Sequence, residues 1–153
     1  MKRYYEQETP YSCGASAIRN VLKQFNIIKS EKHLRKLCHT NETGTSQKAI
    51  IKTLQSFNLT VKEIQTKSEQ RFKRIIKTGL INNNKFILLV DNTQHYITAI
   101  SYYNNKVKII DSDFIVKRKL SPELTMQQLI NMSFNYDKIK NQKYFYIIQI
   151  IQF

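Results

Sequence analysis

The stretch QETPYSCGASAIRNVL, residues 7–22, decides how this chain folds. From Cys13 onward the apolar residues recur at three- and four-residue steps, which predicts an amphipathic helix from Cys13 to Asn26. A Cys-Gly pair therefore stands in the first turn of that helix, and a glutamine precedes the cysteine by six residues. This placement suggests that the cysteine does chemistry.

A cysteine at the start of a helix is well placed to act as a nucleophile. The unpaired backbone N–H groups and the dipole of the first turn favour the thiolate, which is the reactive form. Gly14 lets another stretch of backbone approach closely and keeps the sulfur accessible. Gln7 lies in the loop that enters the helix, where its side-chain amide can donate to an oxyanion. Cys13 is thus a candidate nucleophile and Gln7 a candidate oxyanion donor.

The length and composition predict one globular domain over residues 1–153, with a helical half to about residue 80 and a sheet half from about residue 81. Hydrophobic residues make up 41% and charged residues 24% of the chain, which excludes a disordered protein. No apolar run approaches the roughly 20 residues that span a bilayer, and the N-terminus lacks a secretory signal. We therefore expect a cytoplasmic protein without a membrane partner, in which Cys13 and Cys38 are reduced.

The chain is strongly basic, with a formal net charge of +14. Its Lys and Arg residues are scattered, with mild concentrations at 19–36 and 67–77, and no nucleic-acid-binding motif accompanies them. We therefore expect no dedicated nucleic-acid site. The charge is compatible with an acidic protein partner or substrate.

The order of the predicted elements gives an α+β fold with helices first and an antiparallel sheet afterwards. Further helices are predicted at Ser30–Leu37, within residues 43–59, and at Ser68–Thr78, where Gly79 would end the helix. A later helix is predicted within residues 121–132, with Pro122 in its first turn. The predicted strands, rich in β-branched and aromatic residues, are 85–91, 94–103, 106–111, 114–120 and 143–153.

A thiol nucleophile needs an imidazole partner, and the chain has three histidines. His33 and His39 lie in or near the second helix, on a face that we expect to be solvated. His95 follows the apolar stretch FILLVD, residues 86–91, and is the first residue of the strand HYITAI, so it stands at the mouth of the predicted sheet. His95 is the candidate base, and a structural histidine is the alternative interpretation.

Asp111 is the candidate carboxylate that holds the imidazole in the right tautomer. It ends the strand KVKIID, which the turn at residues 103–106 should pair with the strand of His95. A two-residue loop would put the two side chains on opposite faces, whereas a three-residue loop or one bulge would put them on the same face. The apolar residues of that face favour the odd-numbered loop. Asp113 and Asp91 are the competing carboxylates.

Four blocks of the sequence resemble the bacteriocin-processing peptidases, which are papain-like cysteine peptidases that cleave after a Gly-Gly leader. The blocks are QETPYSCGASAIRNVLKQFNI, TGTSQKAIIKTLQSFNL, KFILLVDNTQHYITAI and VKIIDSD, in that order over residues 5–115. The resemblance implies a papain-like fold in which Cys13 is the nucleophile, His95 the base, Asp111 the orienting residue and Gln7 the oxyanion donor. The family's usual acidic residue before the cysteine is Ser12 here, and the proline that commonly follows the aspartate is Ser112.

The predicted function is a thiol peptidase that hydrolyses a peptide or isopeptide bond in a peptide or protein substrate, without a cofactor. One alternative on the same fold is an acyltransferase or transpeptidase, in which an amine or thiol replaces water. The other is a non-catalytic binding module that uses its basic surface. A zinc site built from Cys13, His33, Cys38 and His39 lacks the paired spacing of zinc ligands, and Cys38 is interpreted as a core or surface thiol.

Overall fold

The computed structural model describes residues 3–113 and 120–152. Its helices are α1 (Cys13–Gln24), α2 (Glu31–Leu37), α3 (Gln47–Gln55), α4 (Glu69–Ile81) and α5 (Met126–Ser133). Its strands are β1 (Thr60–Thr66), β2 (Lys85–Val90), β3 (His95–Tyr103), β4 (Lys106–Ile110), β5 (Glu123–Thr125), β6 (Phe134–Asp137) and β7 (Gln142–Ile151). The predicted α+β class is confirmed.

Side-chain caps explain where most of the helices begin. Ser30, Ser46 and Ser68 precede α2, α3 and α4, and each hydroxyl accepts a hydrogen bond from the backbone N–H three residues later. Thr125 and Gln128 form a reciprocal capping box at α5. This box moves the start of α5 beyond the predicted position, so Pro122 lies before the helix and not in its first turn.

The strands form one antiparallel sheet in the order β1-β7-β2-β3-β4-β5, with β6 also paired to β7. The first strand therefore lies beside the last one, and residues 60–66, expected in the helical half, belong to the sheet. Their burial pattern is mostly exposed because β1 is an edge strand, so the apolar alternation that reveals a strand is weak. The predicted strand 114–120 falls almost wholly on residues that the structure does not describe.

Two apolar cores lie on opposite faces of this sheet. Along β2, Ile87 and Leu89 belong to the core formed with α1, α2 and α3. The alternate residues Phe86, Leu88 and Val90 belong to the core formed with α4 and α5. All six residues of β2 are buried, which explains its nearly continuous apolar sequence. The helix that carries Cys13 is thus held against one face of the central strands.

Helix α4 continues past Gly79, so the prediction that this glycine ends the helix is wrong. A Cβ atom at Gly79 would lie 2.3 Å from Cζ of Phe86, so the glycine makes room for a ring of the core. The helix ends instead at Ile81, Asn82 is its C-cap, and Asn83 adopts a positive φ of 63°. The glycine is there for close packing, and an asparagine makes the turn.

The hairpin between β3 and β4 has a two-residue loop, so the predicted odd-numbered loop is wrong. Asn104 and Asn105 both have positive φ, as a tight turn of this length requires. The register shifts by one residue at a bulge between Ala99 and Ser101. Ala99 then pairs with Ile109, so the bulge places the alternate residues of the two strands on one face, as a three-residue loop would have done.

Candidate active site

Helix α1 begins at Cys13, which is partly exposed. Ser12 stands at its N-cap position and is fully buried, but its hydroxyl makes no capping bond to the helix. That hydroxyl accepts from the backbone N–H of Thr9 at 3.1 Å and lies 3.1 Å from the Thr9 carbonyl oxygen. The first-turn N–H groups are therefore not occupied by the side chain that usually satisfies one of them.

His95 and Asp111 are held together at the ends of β3 and β4. Nε2 of His95 lies 2.7 Å from Oδ1 of Asp111, and both side chains are buried. The imidazole also makes a side-chain hydrogen bond to Cys13. Because Nε2 faces the carboxylate, Nδ1 is the nitrogen that faces the thiol. The bulge that sets the register of β3 and β4 is what lets the carboxylate reach this ring.

The surroundings of His95 favour its charged form. Burial lowers the pKa of the imidazole, but the hydrogen bond to Asp111 and the hydrogen bond and charge of Cys13 raise it more. Together they bring the pKa to about 9, above the usual value of 6.5. At neutral pH these contacts favour the imidazolium form of the ring.

Gln7 makes two hydrogen bonds to Ser112, the residue that follows Asp111. Its backbone N–H donates to the Ser112 carbonyl at 2.9 Å, and its amide oxygen accepts from the Ser112 hydroxyl at 3.2 Å. One hydrogen of its Nε2 group goes to the Thr9 carbonyl at 2.9 Å. An amide nitrogen has two hydrogens, so Gln7 keeps a second donor. The glutamine thus connects the end of β4 to the loop that enters α1.

Two further residues define the surroundings of the sulfur. A Cβ at Gly14 would lie 2.8 Å from Cβ of Thr45, so a side chain, and not the predicted backbone, makes the close approach. Tyr96 donates its hydroxyl to the Thr45 carbonyl at 3.3 Å. Burial and then the charge of Cys13 raise the pKa of Tyr96, so its phenol stays neutral beside the sulfur.

The other two histidines and the two competing aspartates have different surroundings from His95 and Asp111. His33 and His39 are exposed, as expected. The backbone N–H of Asp113 donates to Oδ1 of Asp111 at 3.2 Å, so Asp113 contributes its main chain to the carboxylate that contacts His95. Asp91 follows β2 in a turn with a positive φ of 52°.

The second cysteine is a free thiol like Cys13, but its position is different. Cys38 is buried at the end of α2, where its sulfur lies 2.9 Å from the Leu34 carbonyl and 3.2 Å from the Thr40 hydroxyl. Within residues 3–113 and 120–152, no group of three or more His, Cys, Asp or Glu side chains could hold a metal ion. No described helix is long and apolar enough to cross a membrane.

Sequence reasoning did not find the roles of Ser112, Thr45 and Tyr96. Ser112 directly follows the candidate Asp111, so its position in the chain was the available signal. Tyr96 follows His95 directly, and it read as an ordinary strand residue of an apolar segment. Thr45 lies before α3, and its contact with Gly14 depends on how two helices pack, which the sequence does not display.

Comparisons with known proteins bear on the fold and on the family. The structure is similar to that of the peptidase domain of Streptococcus ComA, a bi-functional ABC transporter of a quorum-sensing pathway, with 20% identity over 97% of each chain and a TM-score of 0.71. It is also similar to a double glycine motif protease from an AMS/PCAT transporter, solved with its leader peptide, with 14% identity over 97% of this chain and 91% of that one and a TM-score of 0.70. Likeness at this identity shows the papain-like fold.

Sequence comparison gives the family. An uncharacterized protein of Methanothermobacter marburgensis is 25% identical over 105 residues, which cover 69% of this chain and 68% of that protein. The model of the Peptidase C39 family matches residues 1–129. The chain therefore belongs to the Peptidase C39 family of papain-like cysteine peptidases.

Proposed function

We propose that this protein cleaves a peptide bond after a Gly-Gly sequence, with Cys13 as nucleophile, His95 as acid and base, Asp111 as the residue that orients His95, and Gln7 as an oxyanion donor. The observation that carries the proposal is the position of the His95 ring, which makes hydrogen bonds to both Asp111 and Cys13. A nucleophile, a base and a carboxylate that orients the base are the parts that thiol hydrolysis needs.

The first step uses the charged pair. The Cys13 thiolate attacks the carbonyl carbon, and the C=O electron pair moves onto the oxygen. The second Nε2 hydrogen of Gln7 and the backbone N–H of Cys13 stabilise that oxyanion. The His95 imidazolium then gives its proton to the leaving amine, the C–N bond breaks, and a thioester remains on Cys13.

The second step regenerates the enzyme. Neutral His95 takes a proton from water, and the hydroxide attacks the thioester carbonyl. The tetrahedral intermediate collapses, the C–S bond breaks, and the peptide leaves as a carboxylic acid. The Cys13 thiolate re-forms beside the His95 imidazolium, so protons and charge balance over the cycle. Asp111 keeps the ring oriented and stabilises its charged form throughout.

The choice of substrate rests on the resemblance to the family and on one relative. The AMS/PCAT protein named above is a double glycine motif protease solved with a leader peptide. Its fold matches this chain over 97% of the residues. We extend that specificity to this protein as the substrate class to test first.

The test is cleavage of a synthetic leader peptide that carries Gly-Gly before the scissile bond, followed by mass spectrometry of the products. We expect cleavage after the second glycine by the wild type and none by Cys13→Ala. A matched peptide with Ala-Ala at those positions should be cleaved more slowly. Equal cleavage of both peptides would contradict the Gly-Gly specificity, and no cleavage of either would contradict the proposed substrate class.

Addition of an amine to the same reaction separates hydrolysis from acyl transfer. Hydrolysis predicts a free carboxylate as the main product at all amine concentrations. An amide product that predominates at low amine concentration would make the protein a transferase. If the wild type cleaves neither peptide, and Cys13 reacts with acyl and alkyl reagents no faster than Cys38, the protein is a binding module on this fold.

A further inference from the structure

The buried carboxylate of Glu31 contacts the segment that joins Gln7 to Cys13. Glu31 is the first residue of α2, and its side chain is fully buried. The backbone N–H of Glu8 donates to both of its oxygens, at 3.0 and 3.2 Å. Arg35 lies one turn later on the same helix, with its Nε 3.4 Å from Oε1. The described residues thus provide this carboxylate with a main-chain donor and a cation.

The same carboxylate also reaches the residue before the nucleophile. The Ser12 side chain, whose hydroxyl lies 3.1 Å from the Thr9 carbonyl oxygen, also interacts with Glu31 and lowers the pKa of that carboxyl. Glu8 directly follows Gln7, and Ser12 directly precedes Cys13. One carboxylate from α2 therefore contacts both ends of the short loop between the candidate oxyanion donor and the candidate nucleophile.

Burial of this acid carries a free-energy cost that its contacts offset only in part. Burial raises the pKa of Glu31, while the bonds from Ser12 and Glu8 and the charge of Arg35 lower it, and the net direction is upward. A side chain selected for stability alone at this buried position would not need a charge. The contacts made by the charge lie on the active-site loop, so that loop is where its effect should be found.

We propose that Glu31 is a positioning residue that fixes the loop of residues 7–13, so that the amide of Gln7 stays directed at the oxyanion formed on the carbonyl that Cys13 attacks. The inference rests on the proposed function, because it takes Gln7 and Cys13 in those roles. Glu31 touches no reacting atom and acts through the main chain of Glu8 and the hydroxyl of Ser12.

A pair of reagents separates this role from a merely structural one. Acylation by p-nitrophenyl acetate passes through a tetrahedral oxyanion, whereas alkylation by iodoacetamide is a direct displacement at carbon and forms none. Both reactions use the same Cys13 thiolate. A residue that positions the oxyanion donor should therefore affect acylation and leave alkylation unchanged.

The chain offers a matched control for Glu31. Glu69 is also the first residue of its helix, follows a serine cap in the same way, and is exposed. Glu69→Gln removes the same favourable interaction of a carboxylate with a helix N-terminus but no contact with the active-site loop. The isosteric Glu31→Gln and the uncharged Glu31→Met form the test set, and melting curves identify the folded fraction of each.

Per folded molecule, we expect Glu31→Gln to lower the acylation rate of Cys13 about 10-fold and Glu31→Met about 100-fold, because small misplacements of a catalytic group have effects of this size. Alkylation of Cys13 should stay within about 2-fold of the wild type in both variants, since the thiolate and His95 are untouched. Glu69→Gln should match the wild type in both reactions.

Two results would overturn the inference. Acylation in both Glu31 variants equal to that in Glu69→Gln would show that the carboxylate does not position the loop. A parallel fall of acylation and alkylation would show that Glu31 supports the nucleophile or the fold. Failure of the proposed function looks different: the wild type itself would be acylated no faster than Cys13→Ala, whatever the Glu31 variants do.

Discussion

The two cysteines of this chain lie in opposite kinds of surroundings. Cys13 is partly exposed at the start of α1 and shares a hydrogen bond with a charged imidazole. Cys38 is 1% exposed at the end of α2, near a carbonyl and two hydroxyl-bearing threonines. Burial raises the pKa of Cys38, and the bonds from Thr40 and Thr45 offset this only in part. Cys13 stands at the N-terminus of α1, where backbone N–H groups are unpaired. Cys38 stands at the C-terminus of α2, where its sulfur contacts the Leu34 carbonyl.

From this difference in surroundings we expect the two thiols to differ in reactivity, although they are the same residue type. The N-terminus of a helix and an imidazolium both stabilise a thiolate, whereas a carbonyl at a helix C-terminus stabilises an S–H donor. Cys38 is therefore an internal reference for Cys13, because both thiols meet the same reagent in one sample. The variants below are chosen to change, or to leave unchanged, the difference in reactivity between Cys13 and Cys38.

The largest effect is expected for Cys13→Ala. Loss of the nucleophile should lower peptide cleavage by at least about 10⁴-fold, as removal of a covalent catalyst generally does. The melting temperature should stay close to that of the wild type because Cys13 is only partly buried. Retained cleavage together with a large loss of stability would make Cys13 a packing residue.

His95→Gln should reduce the contrast between the two thiols by removing the imidazolium. We expect cleavage to fall by about 10³-fold, because the acid and the base of both steps are lost. Alkylation of Cys13 at pH 6 should fall toward that of Cys38, measured as the ratio of the two labelled peptides. An unchanged ratio would mean that His95 does not hold the Cys13 thiolate.

Gln7→Ala should separate the two reactions of the same sulfur. Acylation of Cys13 should fall by about 100-fold, the usual result of losing one oxyanion donor, while alkylation stays unchanged. Ser112→Ala is the milder companion, because it removes only the hydroxyl that orients the amide oxygen of Gln7. Equal acylation by Gln7→Ala and the wild type would remove Gln7 from the proposed mechanism.

Asp111→Ala should change the pH dependence. The pKa of His95 is raised to about 9 partly by the hydrogen bond to Asp111, so the ring stays charged up to that pH. Without the carboxylate the pKa falls, and the loss of activity on the alkaline side should move to lower pH by at least about one unit. The same sign holds for stability, since a raised pKa favours folding below 6.5 and loses that effect as pH rises through 9. An alkaline limb that stays in place would contradict the role of Asp111.

The smallest effect on activity is expected for Cys38→Ala. Cleavage and the labelling of Cys13 should both stay within about 2-fold of the wild type, because the buried thiol contacts none of the proposed catalytic side chains. Stability should fall by about 1 kcal/mol, the order expected for a small buried side chain, as measured by denaturant unfolding. A large loss of activity in a folded variant would give Cys38 a function.

The sequence predicted what local patterns encode. The apolar repeat after Cys13 and the serine before α2 placed two helices almost to the residue, and the alternation around His95 placed its strand. The prediction that His95 and Asp111 share one face of the sheet was correct, but a bulge produces this register and not the predicted odd-numbered loop. A bulge is invisible in the pattern because it adds one buried residue, Ile100, to an already apolar strand.

Other features depend on contacts between distant parts of the chain. β1 pairs with β7, which lies more than 75 residues later in the chain. An exposed edge strand such as β1 also shows little alternation of apolar and polar residues. In the sequence, Gly79 looks like the glycine that ends a helix. In the structure it lies within α4 and makes room for the ring of Phe86. The carboxylate of Glu31 resembles an ordinary first-turn acid like Glu69, and only the packing of α2 against the loop before α1 distinguishes the two.

The most direct test of the central claim is the rate of alkylation of Cys13 and Cys38 by iodoacetamide between pH 5 and pH 9, with each cysteine followed by its own peptide in mass spectra. A thiolate held by the His95 imidazolium should make Cys13 nearly as reactive at pH 6 as at pH 8 and about 100-fold faster than Cys38 at pH 6. A Cys13 rate that rises about tenfold per pH unit from pH 5 to about pH 8, as for an ordinary thiol, would contradict the account.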